Sequence, residues 1–332
     1  MSARKLKVAV VGFGSIGRHH ARNLNAMPGV ELCAVVDTSE AARADAAGLH
    51  YRTMATTGEL IRAGADGAVI AVPTSEHYAV ALDLLAAGIP LLVEKPIAPS
   101  IEQGAEIIDI AERRGLPLMV GYVERFNPAV IAAHRLMRDG LVGTPLHLAT
   151  RRVGGMPIRI TDANVIVDIG VHDLDVISFL LESELRLISA QGGMALIGDR
   201  VDYASLALDG AGVVAHATVN WVTPVKVRDL IITGSNGYLQ VDYLRQSTHF
   251  APGRDFHVTE SYEAVVAQYE QGTLIDMPID RQEPLRLELE RFAAVLRGET
   301  PAPDARVSLT SLRIALEATA LIERSLRVEA VR

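Results

Sequence analysis

Leu6-Lys7-Val8-Ala9-Val10-Val11-Gly12-Phe13-Gly14-Ser15-Ile16-Gly17 is the stretch that decides the fold. Apart from Lys7, the residues before Gly12 are apolar, as in a strand buried on both faces. A glycine fingerprint follows at once and opens a helix, the context in which such a fingerprint carries meaning. Gly12 permits the tight turn, Gly14 lets backbone approach a pyrophosphate, and Gly17 lets the helix pack on the strand. The helix N-terminus offers free N–H groups and partial positive charge to phosphates. Phe13, Ser15 and Ile16 belong to the same cofactor-holding loop. A glycine turn that serves packing alone is the competing explanation. Asp37 lies 20 residues after Gly17, at the end of the second strand. A carboxylate there accepts both ribose hydroxyls and repels a 2′-phosphate. Thr38-Ser39 follow without an adjacent arginine, which favours NAD over NADP.

Outward from this loop, strand and helix alternate as far as Val120. Strands are expected over Leu32 to Val36, Gly67 to Val72, Ile89 to Val93 and Leu116 to Val120. Helices are expected over Glu40 to Ala47, ended by Gly48, and from a Ser75 cap to Ala87, ended by Gly88. A further helix runs from Ser100 to Arg114. That order implies an α/β chain with a doubly wound parallel sheet. After Gly121 the texture changes. Helices are expected over Pro128 to Asp139 and Asp168 to Leu181, and a strand over Leu146 to Arg152. From Leu185 to about Met277, strand-like runs joined by tight turns predict a large open, mostly antiparallel sheet. Two last helices, Pro284 to Arg297 and Ser308 to Leu326, close the chain and are candidates to pack back on the first domain. The expected domains are residues 1–121 for the dinucleotide and 122–332 for substrate.

Composition sets the outer bounds. The 332 residues suggest two domains, and 49% hydrophobic residues supply two cores. A net charge of −8 disfavours nucleic acid as a bulk partner. Cys33 is the only cysteine, which excludes an intrachain disulfide and a cysteine-based metal cluster, and its apolar run makes it inert core. No signal peptide and no membrane-spanning stretch is read in the chain, so cytoplasm is the expected compartment.

Two further segments carry chemistry. In Pro90-Leu91-Leu92-Val93-Glu94-Lys95-Pro96 a lysine closes an apolar strand on the edge of the sheet where ligands bind. The plain alternative is a strand-capping lysine paired with Glu94. Pro73-Thr74 ends another strand on that edge, with backbone expected to line the cofactor cleft. His77 follows in the first turn of the next helix, where a cap or packing role is as good a reading as chemistry. For His19 and His20, in the first helix, surface and packing roles outweigh a place in the cleft. In Asp168-Ile169-Gly170-Val171-His172, an aspartate opening a helix puts the histidine one turn later on the same face. Asp168 then orients the imidazole, as proton abstraction from an alcohol requires. A capping aspartate holding a buried histidine is the competing reading. A metal site lacks a third ligand.

Gly12-x-Gly14-x-x-Gly17, Glu94-Lys95-Pro96 and Asp168-x-x-x-His172, in this order, resemble the Gfo/Idh/MocA family of NAD(P)-dependent sugar oxidoreductases. Pro73 to Gly88, with His77, is similar as well. The resemblance implies a Rossmann domain followed by an α/β domain whose sheet forms a homodimer or homotetramer. It implies Lys95 and His172 at the reacting hydroxyl with Asp168 as third member, Glu94 and His77 beside the cofactor, no metal, and a cis Lys95-Pro96 peptide. Gly121-Tyr122-Val123-Glu124-Arg125-Phe126-Asn127-Pro128, and Arg151-Arg152-Val153-Gly154 through Pro157-x-Arg159, resemble the branch acting on nucleotide-activated amino sugars, notably UDP-N-acetylglucosamine 3-dehydrogenases. That implies oxidation of the 3-hydroxyl to a ketone for a partner aminotransferase, with Tyr122, Arg125, Asn127, Arg152 and Arg159 at the substrate. Arginines suit a diphosphate, though solvated or interface charge explains them as well. Gly170 departs from the branch pattern and is expected to reshape the wall beside His172. Other expected substrates within the family are an inositol-like polyol, a UDP-hexuronate or a deoxy-sugar. An NAD(H)-sensing regulator is the alternative of another class. Trp221, on an expected strand, is assigned either to an interface or to the sugar.

Overall fold

The computed structural model describes residues 4–156, 163–253 and 274–330. Two compact units make up the chain. The first is Met1–Phe126 with Glu283–Leu312, the second Asn127–Gln282 with Arg313–Arg332.

In the first unit, six strands form one sheet: β1 (Leu6–Val11), β2 (Val30–Val36), β3 (Thr53–Met54), β4 (Gly67–Ile70), β5 (Leu91–Glu94) and β6 (Leu118–Gly121). Their order is β3-β2-β1-β4-β5-β6, and every pairing is parallel. The helices between them are α1 (Ser15–Ala26), α2 (Glu40–Gly48), α3 (Thr57–Ala63), α4 (Thr74–Ala86) and α5 (Ile101–Arg113). Because side chains alternate along a strand, each central strand feeds two cores. Ala9, Val11, Ile70, Leu91 and Val93 pack with Leu84 and Leu85 of α4 and Ile107 of α5. Val8, Val10, Val69 and Leu92 pack with Ala21 and Leu24 of α1. The sheet is thus the doubly wound one expected, with strand order reversing between β1 and β4.

The second unit is built on eight strands: β7 (Pro145–Gly155), β8 (Leu185–Gly193), β9 (Tyr203–Gly210), β10 (Val213–Asn220), β11 (Val222–Gly234), β12 (Gly237–Asp242), β13 (Ser247–Pro252) and β14 (Ile275–Met277). The order is β14-β13-β12-β11-β7-β10-β9-β8, with β7 and β10 parallel and the other neighbours antiparallel. Helices α6 (Pro128–Arg138) and α7 (Val171–Leu181) pack on this sheet. Strands such as β9 and β12 alternate buried with accessible positions, so one face is covered and the other is not. The penultimate helix, α8 (Pro284–Leu296), belongs to the first unit and adds Leu289 and Phe292 to the α1 side of its sheet. The last helix is α9 (Val307–Ala330). No described helix is long and apolar enough to cross a membrane.

Several local expectations are corrected. Helix α4 starts at Thr74 behind Pro73, whose φ of −54° suits the entry to a first turn, so Ser75 is not its cap. Gly48 lies within α2; the left-handed residue beyond it is His50, with φ 63°. Strand β3 and helix α3 went unread because both are short. Helix α3 carries its own cap, in which Thr56 Oγ1 accepts from Glu59 N and the Glu59 carboxylate from Ala55 N. Asp168 does not open α7. It lies inside a π-helical turn, Ile166–Gly170, that runs into α7, and the cap is Asn164, whose Oδ1 accepts from Ile166 N and Val167 N. A π turn fixes one residue more per hydrogen bond than the α-helix, and the repeat of apolar residues does not disclose it.

Gly170 ends that π turn with a φ of −64°, and a Cβ there would meet Ile166 Cγ2 at 3.4 Å and Val219 Cγ1 at 3.7 Å. Those are ordinary contacts on the covered side of the sheet. Gly170→Ala is therefore expected to stabilise the protein by about 0.5–1 kcal/mol, read as a raised urea midpoint at unchanged slope.

Candidate active site

The glycine loop sits at the switch point of the first sheet. Gly12 has φ 95°, and a Cβ on it would lie 2.6 Å from the carbonyl oxygen of Ala71, just beyond β4. A Cβ on Gly17 would lie 2.0 Å from the carbonyl oxygen of Gly12. Both positions therefore exclude any side chain. Gly14 differs: nothing stands within 4 Å of where its Cβ would be. It is the N-cap of α1, there is no side-chain cap, and the first turn holds no acidic residue. The first turn of α1 thus brings no carboxylate of its own to its N–H groups and the positive end of the dipole, an arrangement suited to a diphosphate. Ser15 and Ile16 are exposed in this turn, while Phe13 is buried, edge-on to Tyr51. The Phe13 N–H is already used, donating to Asp37 Oδ2 at 2.7 Å.

Asp37 is fixed by that bond and by a second, from Ser39 N to Oδ1 at 2.8 Å. Its carboxylate is held at the end of β2, where a dinucleotide ribose would lie, with lone pairs to spare. No arginine adjoins Asp37 in the sequence, yet folding supplies one. Arg43 Nη1, from α2, donates to the carbonyls of Asp37 and Thr38, each at 2.8 Å. One helical turn of separation hid it.

Lys95 follows β5 and is half-buried, and its bond to Pro96 is cis. Glu94 is 9% exposed. Its Oε1 lies 2.6 Å from Nε2 of His20, a fully buried residue of α1, and its Oε2 accepts from Lys95 N at 3.3 Å. A Cβ on Gly121 would stand 3.2 Å from the same carboxyl group. His77 is buried too, its Nδ1 2.9 Å from the Pro96 carbonyl and its Nε2 3.0 Å from that of Val72. Both ring nitrogens of His77 thus face backbone carbonyls, the packing role that its place in the first turn of α4 allowed. Pro73 and Thr74 lie just beyond β4, Pro73 exposed and Thr74 half-buried. Sequence reasoning undervalued His20, although its position beside Gly17, Ala21 and Leu24 on the buried face of α1 was a usable signal.

In the second unit, Asp168 and His172 are both half-buried, one in the π turn and one in the first turn of α7. Arg152, expected at the substrate, is engaged inside the second unit. It is 4% exposed, Nε donates to Asp173 Oδ1 at 2.9 Å, and its guanidinium lies 5.4 Å from the centre of the Tyr243 ring. A buried cation so paired joins β7 to α7. Asn127 is likewise structural: its Oδ1 caps α6 by accepting from Ala129 N, and Nδ2 donates to the Tyr243 carbonyl. In the first unit, Tyr122 is 3% exposed with its hydroxyl on the Ser308 carbonyl. Arg125 is half-buried and borders a cavity of about 30 Å³ with Tyr122 and Asp304. Arg159 lies outside the described residues. Trp221 is 2% exposed within the second unit. Burial pushes the Cys33 thiol up to about 11, in keeping with inert core.

Residues 6–122 match the oxidoreductase family with an NAD-binding Rossmann fold named GFO_IDH_MocA, and residues 130–240 match a GFO/IDH/MocA C-terminal domain. UDP-N-acetylglucosamine 3-dehydrogenase of Acidithiobacillus ferrooxidans is 31% identical over 74% of this chain and 76% of its own. The scyllo-inositol 2-dehydrogenase (NAD+) of Bacillus subtilis is 27% identical over 95% of this chain and 93% of its own. A solved structure of the Acidithiobacillus ferrooxidans enzyme superposes with a TM-score of 0.83, at 27% identity, covering 96% of this chain and 98% of that one.

Burial holds the His77 imidazole below its ordinary value of 6.5, outweighing the two carbonyls and the Glu94 charge, which act the other way. The unfolded chain then takes up a proton before the folded one does, so stability is lost as pH falls through about 6.5 and below. Urea midpoints at pH 7.5 and 5.5 are expected to differ less in His77→Gln than in the parent. An equal loss in both would contradict the assignment.

Proposed function

The chain belongs to the Gfo/Idh/MocA family and is an NAD-binding oxidoreductase, related to sugar and polyol dehydrogenases, and on that footing we propose that it oxidises a secondary hydroxyl of a nucleotide sugar. The 3-hydroxyl of UDP-N-acetylglucosamine is the substrate we assign. The observation that carries the proposal is the likeness to the UDP-N-acetylglucosamine 3-dehydrogenase, which spans both units at 27% identity.

The loop Gly12 to Gly17 and the Asp37 carboxylate are the residues proposed to hold the dinucleotide. Open space at Gly14 and the unneutralised turn of α1 fit its diphosphate, and Asp37 favours NAD over NADP. A bound nicotinamide would supply the acceptor for the hydride of the carbinol carbon. His172 is assigned as the base that takes the hydroxyl proton, with Asp168 orienting it. Lys95 is assigned to donate a hydrogen bond to the hydroxyl oxygen and stabilise the charge that grows there. Arg125 is kept as a candidate for the substrate diphosphate, as is Arg159 on sequence alone. Tyr122, Asn127 and Arg152 are assigned to packing. A keto-sugar product calls for a partner that consumes it, and an aminotransferase fits that chemistry. Self-association through the uncovered face of the second sheet completes the proposal.

Oxidation of a free polyol is the second reading, favoured by the relative from Bacillus subtilis, which matches 95% of this chain. One panel separates the two. NADH formation is followed with UDP-N-acetylglucosamine, myo-inositol and scyllo-inositol, with an aminotransferase present to pull the oxidation. Turnover of the nucleotide sugar is expected, with a fall of roughly 100-fold or more in Lys95→Ala and in His172→Asn. Turnover confined to the inositols would transfer the assignment to polyols. Equal rates in parent and both variants would remove Lys95 and His172 from the chemistry.

A further inference from the structure

We propose that His20 is a positioning residue for Lys95, acting through Glu94. This rests on the assignment of Lys95 to the reacting hydroxyl. His20 is fully buried, and Glu94 is 9% exposed. An imidazole and a carboxylate carry a large desolvation cost in such a place, and an apolar pair would pack α1 on β5 without it. Their retention is explained by what they hold. The His20 Nε2–H donates to Glu94 Oε1 at 2.6 Å, and Glu94 Oε2 accepts the Lys95 N–H at 3.3 Å. Gly121 leaves room for that carboxylate, since a Cβ there would press on it at 3.2 Å. On the far side, His77 Nδ1 lies 2.9 Å from the Pro96 carbonyl. The Lys95 backbone is thus gripped before and after by side chains from α1 and α4, by way of Glu94 and Pro96.

His20 and the first-turn N–H groups beside the glycine loop lie on one helix, α1. A rigid helix cannot move its N-terminus without moving His20. Seating of a dinucleotide diphosphate at that terminus is therefore transmitted through Glu94 to the lysine. His20 touches neither substrate nor cofactor in this scheme; it acts on Lys95 alone.

The chain contains only four lysines, Lys5, Lys7, Lys95 and Lys226, which makes the amine itself observable. Reductive methylation with 13C-formaldehyde gives each a dimethylamino resonance, and the Lys95 signal is the one missing from Lys95→Arg. In His20→Leu and in Glu94→Gln the Lys95 resonance is expected to shift and to lose its parent response to NAD, while the other three stay in place. His20→Gln, which keeps a donor, is expected to return it toward the parent position. In steady state, His20→Leu is expected to lower kcat by about 10- to 100-fold while the KM for NAD stays within about twofold. A Lys95 resonance in His20→Leu that coincides with the parent's both without NAD and with it would overturn the proposal. If His20→Leu does not fold, Glu94→Gln decides by the same signal. Unaltered turnover in Lys95→Ala would instead defeat the functional assignment, and the resonance would still judge the coupling.

Discussion

The rest of the first unit depends on one close approach. The turn after β1 brings the carbonyl of Gly12 under Gly17 and the Cα of Gly12 against the backbone beyond β4, at distances no Cβ tolerates. Helix α1 can then lie on β1 from its first turn. The helix starts at the edge of the sheet with its N–H groups uncapped. A side chain at either position would push α1 outward. That would move Leu24 and Ala21 from the core they share with β1 and α8. Packing and ligand capacity therefore come from the same contact.

Buried polar groups follow from that geometry. Because α1 lies so close, His20 reaches the end of β5 and meets Glu94 there. His77 meets the Pro96 carbonyl from α4. In the second unit, Arg152 and Asp173 do for β7 and α7 what an apolar pair would do with less desolvation. Loss of one member would leave a buried charge uncompensated, which costs about 3–5 kcal/mol. Such pairing accounts for the burial of Arg152, a residue expected at the substrate.

Much of this was legible in the chain. The glycine loop, Asp37 and the two sheets were all read from apolar runs and glycine spacing, because each follows from local chemistry. Short elements were missed: α3 is held by its Thr56 cap, which a hydrophobic pattern does not register. The π turn was missed because it differs from α only in which carbonyl each N–H finds. The internal bonds of Arg152 and Asn127 were illegible for a common reason. Type and spacing in sequence announce that a polar side chain is present, but only tertiary contacts tell whether another protein group already satisfies it. Arg43 shows the converse, a cation at the cofactor edge that adjacency in sequence did not reveal.

We assign the open space at Gly14 to the dinucleotide rather than to the fold. Calorimetric titration of NAD into the parent and into Gly14→Val tests it directly. Substitution there is expected to change unfolding free energy without NAD by no more than about 1 kcal/mol, since nothing within 4 Å opposes the new side chain. NAD affinity is expected to fall by at least about tenfold, roughly 1.4 kcal/mol. Equal NAD affinity in parent and variant, or no binding by the parent, would contradict the account.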